Sequence, residues 1–191
     1  MNRFLAFLSF ALVALQLSGC GPGGGTAQAQ SAGVAPSIKD LSAFVNTYWY
    51  VPTSYLPAYQ NIGGPNPSIT LVNDQTVWHI KSVNNGYLLG CSFATTNNGS
   101  SWATTTMVGS VTANNSVSIG FYGSSSLVVG QGTLTTAYEQ PAFLMQMSAG
   151  SGVAGLTHWA YMLPVTDKDP VWSSLPGTNG QSVPSATSGG C

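Results

Sequence analysis

The sequence predicts an all-β domain, an antiparallel barrel (or sandwich) of about eight strands with one short N-terminal helix. Three observations predict it. Between Thr47 and Leu163 apolar and polar residues alternate with a period of two, the repeat of a strand with one buried face. Asn- and Gly-rich turn signals interrupt that pattern at the short, regular spacing of all-β domains. Charged residues make up only 5% of the chain while aromatic residues make up 10%. That composition can build a core, unlike the aromatic-poor composition of disordered chains, and leaves Ser, Thr, Asn and Gly to cover the surface.

The elements follow in order. Met1-Asn2-Arg3 carries one positive side chain, and Phe4 to Leu15 is almost wholly apolar. A run of about a dozen residues suits the apolar region of a signal peptide and is too short to cross a bilayer core of about 30 Å as a helix. Leu17-Ser18-Gly19-Cys20 follows directly. These residues resemble the lipobox of bacterial lipoproteins. The resemblance implies cleavage before Cys20, a thioether-linked diacylglycerol on Cys20, and acylation of the new amine. It further implies a cell-envelope location. Gly21 stands where an Asp would favour retention in the inner membrane, so the resemblance points to the outer membrane, with the domain facing the periplasm; the inner membrane and the cell surface are the alternatives. One acyl chain binds a membrane marginally, whereas several hold firmly.

The expected organisation is a signal peptide (1–19), a flexible tether (20–36), a barrel-like domain (37–177) and a low-complexity C-terminal tail (178–191). The tether is Gly, Ala, Gln, Ser and Pro without an aromatic residue, and a chain of that length holds a domain roughly 20–25 Å from the lipid. Ser37 with Asp40 fits a capping box, and Ile38, Leu41, Phe44 and Val45 share a face, which predicts about two helical turns.

Tyr48-Trp49-Tyr50-Val51 then reads as a strand ended by Pro52, and 52–67, rich in Pro, Gly, Tyr and Asn, reads as a long loop. Thr76, Trp78 and Ile80 alternate with Val77, His79 and Lys81, and Asn84-Asn85-Gly86 turns the chain into Tyr87–Phe93. Further strands are expected around Met107–Val111, Val117–Phe121, Leu127–Thr135, Ala142–Met147 and Thr157–Leu163. Gly90, Gly109, Gly120 and Gly132 inside them fit sharply bent strands, which favours a closed barrel. A short helical turn before a first-strand Trp49 faintly resembles the calycin barrels (lipocalins and avidins). That likeness covers topology alone and carries over no site residue.

Function is less legible. Lys39, Lys81 and Lys168 face five acidic residues, and no basic stripe exists, so nucleic acid is not expected as a partner. Glu139 is the only Glu, no nucleophile elbow is present, and the two histidines, His79 and His158, have no spacing that fixes a metal. No catalytic residue, metal or cofactor is assigned, and whether the chain is an enzyme stays open, with a hydrolase using His158 the weakest reading. The aromatic inventory suits binding better. Tyr48, Tyr50, Tyr55, Tyr59, Met145, Met147, His158 and Tyr161 are the candidate ligand-binding residues, for a small apolar or amphipathic molecule inside the barrel. The alternative is a structural or protein-interaction module of the envelope using the Tyr-rich loop 52–67. Cys91, in an apolar strand, is either a buried thiol or the partner of Cys191 in a disulfide.

Overall fold

The computed structural model describes residues 40–52, 55–62, 68–96, 101–124, 127–151, 154–175 and 183–188, with the backbone alone at 55–62, 68–74, 96, 101–102, 151, 154, 183 and 186. The strands are β1 (Thr47–Tyr50), β2 (Tyr55–Ile62), β3 (Ser68–Asn84), β4 (Tyr87–Thr96), β5 (Ser101–Val111), β6 (Ser116–Tyr122), β7 (Leu127–Ala137), β8 (Gln140–Ser151) and β9 (Ala154–Val165). They close into an antiparallel barrel of eight staves, because β1 and β2 follow one another in the single position between β3 and β9. Every later strand pairs with its successor, and β4 also pairs with β3, so the chain runs up and down around the barrel. Closure leaves no full-length open edge to template aggregation.

The expected loop 52–67 contains a strand. β2 pairs with β3 from Tyr55↔Asn73 to Gln60↔Ser68, and with β9 only from Ala58↔His158 onward. Pro57 therefore falls where β2 has a neighbour on one side, the place where a strand tolerates a residue without an N–H. Composition read locally made this a loop; non-local pairing made it a strand.

Three hairpin turns share one end of the barrel. Asn85 and Gly86 both have positive φ (48° and 79°), as a two-residue turn matching strand twist requires. Thr112 to Asn115 forms the second, closed by Thr112 N donating to Ser116 O and Asn115 N to Thr112 O, each at 2.9 Å. Tyr138 and Glu139 form the third. The connections at the opposite end lie largely outside the described residues.

The first of these ends is plugged. The expected N-terminal helix is a single 3-10 turn, Ser42–Phe44, with 37–39 outside the described residues. Asn46, at φ 57°, redirects the chain into β1. Thr47 Oγ1 donates to Phe44 O at 2.6 Å and accepts from Trp49 Nε1 at 2.9 Å, tying the turn to the first strand. Leu41 is buried, and the Phe44 ring meets Trp49 (5.5 Å) and Phe143 (5.7 Å).

Above the plug, inward residues of all staves form one apolar core: Trp49, Trp78, Ile80, Leu88, Met107, Ile119, Phe121, Phe143, Met145 and Met162 are among its members. The outward positions of β6 to β9 are instead largely Ser, Thr, Gln and scattered apolar residues. Membrane-spanning barrels have the reverse arrangement, with a polar lumen and an apolar outer band.

A second cluster lies outside the barrel. Val77, Phe93 and Val165 project outward and are buried by Trp172 and Leu175, with Tyr48, Tyr50 and Val171 alongside. Trp172 belongs to a second 3-10 turn, Pro170–Ser174, whose start is capped by Asp169 Oδ1 accepting from Val171 N at 3.0 Å. The Trp172 indole donates to Thr166 O at 2.9 Å. The expected low-complexity tail contains a one-turn helix, α1 (Val183–Thr187), that packs on β3 and β4 and buries Thr187. The wall formed by β1, β3 and β4 is therefore covered by the chain's own C-terminal segment.

Candidate functional site

Strand alternation decides which candidate residues meet. On β3, β4 and β5 the register pairs Trp78 with Ser92 and Ser92 with Thr105, all inward, so the three form one row across the inner wall. Directly opposed side chains on such a row have Cβ atoms about 4.5–5.5 Å apart. Trp78, Ser92 and Thr105 are all buried, as is Thr76, the next inward residue along β3. The Trp78 indole N–H and the Thr105 hydroxyl have no hydrogen-bond partner among the described residues. A buried polar group left unsatisfied destabilises by about 1–3 kcal/mol.

The apolar floor beneath them is well defined. Trp78 packs against Phe121 (centroids 5.5 Å) and Phe143 (5.7 Å). Met147 and Phe121 both approach Gly130, where a Cβ would lie 3.3 Å from the Met147 sulfur and 3.4 Å from Phe121. Met147 is the cross-strand partner of His158 on β9, and both point inward. Burial pushes the His158 imidazole pKa below its ordinary value, so the ring is neutral at neutral pH. No Lys, Arg, Asp or Glu side chain lines the interior among the described residues.

The structure thus separates the candidate ligand-binding residues. Met145, Met147 and His158 face the barrel interior, Met145 within the packed core. Tyr48, Tyr50 and Tyr161 are on the outer side. Tyr48 stacks on His79 at 4.2 Å, and Tyr50 packs towards Trp172 at 6.5 Å. The side chains of Tyr55 and Tyr59 lie outside the described residues, although their backbones are in β2. His79 is half-buried on the outer wall. Its Nε2 is 2.9 Å from Asn46 Oδ1, and burial, with Lys81 nearby, lowers its pKa. Cys91 is outward, fully buried beneath the C-terminal segment, and disulfide-bonded. Cys20 and Cys191 lie outside the described residues.

Trp78, Ser92 and Thr105 were not singled out from the sequence. The period of two places Trp78 and Ser92 on inward faces, but only strand register brings them beside Thr105. At the plugged end, two open grooves of about 410 and 610 Å³ run along the rim. They carry Glu139 and, in the larger, Asp167 and Asp169, of which Asp169 is engaged as a cap. No group of His, Cys, Asp or Glu able to hold a metal occurs among the described residues.

Fold and site together define a closed, up-and-down, eight-stave β-barrel protein with an apolar core and a buried, uncharged polar row. Neither family models, nor curated proteins, nor solved structures gave a match to this chain.

Proposed function

We propose that this chain is a lipid-anchored envelope protein, held at Cys20, whose barrel is a non-catalytic binding domain for a small amphipathic ligand. The carrying observation is the pair of buried, unpartnered polar groups, Trp78 Nε1 and Thr105 Oγ1, on one inner row above an apolar floor. A ligand entering opposite the plug would present an oxygen acceptor to the indole N–H and the hydroxyl, and rest its apolar part against Met147 and Phe121. Burying an ion without a counter-charge is costly. The neutral His158 and the lack of a charged side chain among the described interior residues therefore favour a ligand whose leading group is a carbonyl or hydroxyl oxygen.

Native mass spectrometry of the full-length protein, extracted gently from membranes, tests this reading. The expected result is extra mass, lost on mild activation, whose occupancy falls at least tenfold in Thr105→Val and Trp78→Phe. A bare mass under all extraction conditions, or a bound mass indifferent to both substitutions, would overturn it. Labelling with an alkynyl fatty acid tests the anchor. Incorporation in the parent chain and loss in Cys20→Ala supports it, and equal labelling of both refutes it.

A further inference from the structure

The wall opposite the covered one carries a different pattern, independent of the interior reading. On the outer face of β9, β8, β7 and β6 the register sets Trp159 beside Gln146, Gln146 beside Gln131, and Gln131 beside Ser118. The neighbouring outward row is Thr157, Ser148, Val129 and Gly120. Ser148 and Thr157 share a hydrogen bond at 3.2 Å. Val129, Gln131, Gln146 and Ser148 line a shallow groove of about 260 Å³.

Aromatic rings frame this groove on both sides. Trp159 is 57% exposed and Tyr122 is 53% exposed. A Cβ on Gly120 would meet the Tyr122 hydroxyl oxygen at 2.7 Å and its ring carbons at 2.9 Å, so the phenol lies flat over Gly120. Only a glycine leaves room for that pose. From β9 to β6 the wall spans three strand spacings, about 14 Å. It contains no Asp, Glu, Lys or Arg: none occurs anywhere in β6, β7 or β9, or in β8.

We infer that this wall is a binding platform for a neutral glycan chain. The chemistry of the surface selects that class. Aromatic faces carry negative charge density that attracts the polarised C–H face of a sugar ring. Two adjacent carboxamides each offer a donor and an acceptor to vicinal hydroxyls, and the Ser and Thr hydroxyls extend the same inventory. A phosphorylated or acidic partner would find no cation here. A lipid surface would have to desolvate two amides and two hydroxyls without repaying their hydrogen bonds. The β1/β3/β4 wall, by contrast, is occupied by Trp172 and Leu175 and offers no such face.

The test is a glycan array carrying neutral and acidic oligosaccharides, probed with the full-length protein in a detergent without a sugar headgroup. The expected result is selective retention on neutral oligosaccharides, reduced at least tenfold by Trp159→Ala and by the Gln131→Ala/Gln146→Ala pair. Both changes are at exposed positions, and unchanged circular dichroism and melting temperature confirm an intact barrel. Trp78→Phe, inside the barrel, should leave glycan retention unchanged, which separates this site from the interior one. Retention of no neutral glycan, equal retention of acidic ones, or retention unaffected by Trp159→Ala overturns the inference. So does concentration-dependent self-association abolished by Trp159→Ala, which would make the wall a contact between copies.

Discussion

At the residue scale, the barrel depends on a few positions where a side chain has no room. A Cβ on Gly132 would lie 2.0 Å from the Leu144 carbonyl oxygen and 2.8 Å from the Met145 sulfur. The carbonyl belongs to a paired strand and cannot yield without breaking the ladder. Gly132→Ala should therefore destabilise by about 1–3 kcal/mol and lower the melting temperature by several degrees. Gly155 is the control, because its Cβ would make only an ordinary contact, 3.5 Å from Ala149 O. Gly155→Ala should be neutral or slightly stabilising, and equal losses at both sites would contradict the argument. The histidines give a pH signature. Burial lowers the folded pKa of His158, and burial with Lys81 lowers that of His79, from 6.5. The unfolded chain therefore binds more protons in mildly acid solution. Stability is complete above the unfolded value and is lost as pH falls through the folded values, by at most about 1.4 kcal/mol per pH unit for His158 and by less for the more exposed, solvent-screened His79. Melting curves between pH 7.5 and 5 should show that decline, and His158→Gln should flatten it. A decline unchanged by the substitution would remove His158 from the account. The inward position of His158 was open to period-two reading; its low pKa required the barrel around it.

At the element scale, hairpin turns and the plug control the described end. The Asn85-Gly86 turn uses residues that accept positive φ readily, whereas Tyr138 and Glu139 adopt φ 52° and 63° with full side chains. Nothing around Tyr138 compensates by burial, since its side chain is 74% exposed. Replacing the pair by Asn-Gly should raise stability by about 1–2 kcal/mol, and chemical denaturation with unchanged m-value would confirm it. No gain would mean that the strain is relieved by contacts of the tyrosine. The Asn-Gly signal at 85–86 was legible because the turn chemistry is local. β2 was not, because its strand character comes from partners eight to eighteen residues away on β3 and nearly a hundred away on β9. The N-terminal helix was over-read for a related reason. Ile38, Leu41, Phe44 and Val45 do share a helical spacing, but Thr47 captures the Phe44 carbonyl and the chain turns at Asn46.

At the scale of the whole molecule, the C-terminal segment is part of the barrel's cover. Trp172, Leu175 and α1 shield the outward residues of β3 and β4, among them the disulfide-bonded Cys91. The proposed function assigns Cys20 to lipid, and on that reading Cys191 is the expected partner. Non-reducing peptide mapping should recover a Cys91–Cys191 peptide. Reduction, or Cys191→Ser, should destabilise by about 2–5 kcal/mol, because such a link closes a loop of roughly a hundred residues. A Cys91–Cys20 peptide instead would refute both this pairing and the lipid anchor.

The sequence by itself determined that the chain is all-β, which residues alternate inward, and where the tightest turns fall. These follow from side-chain period and turn chemistry, properties carried by neighbours in the chain. Only the tertiary structure decided that the strands close, that β1 and β2 share a stave, and that one wall is covered while the other exposes Trp159 and Tyr122. It also decided that Trp78, Ser92 and Thr105 stand in one row, and Trp159 with two glutamines in another. Each of these depends on register between strands distant in sequence, and register is fixed by the packing of the assembled core.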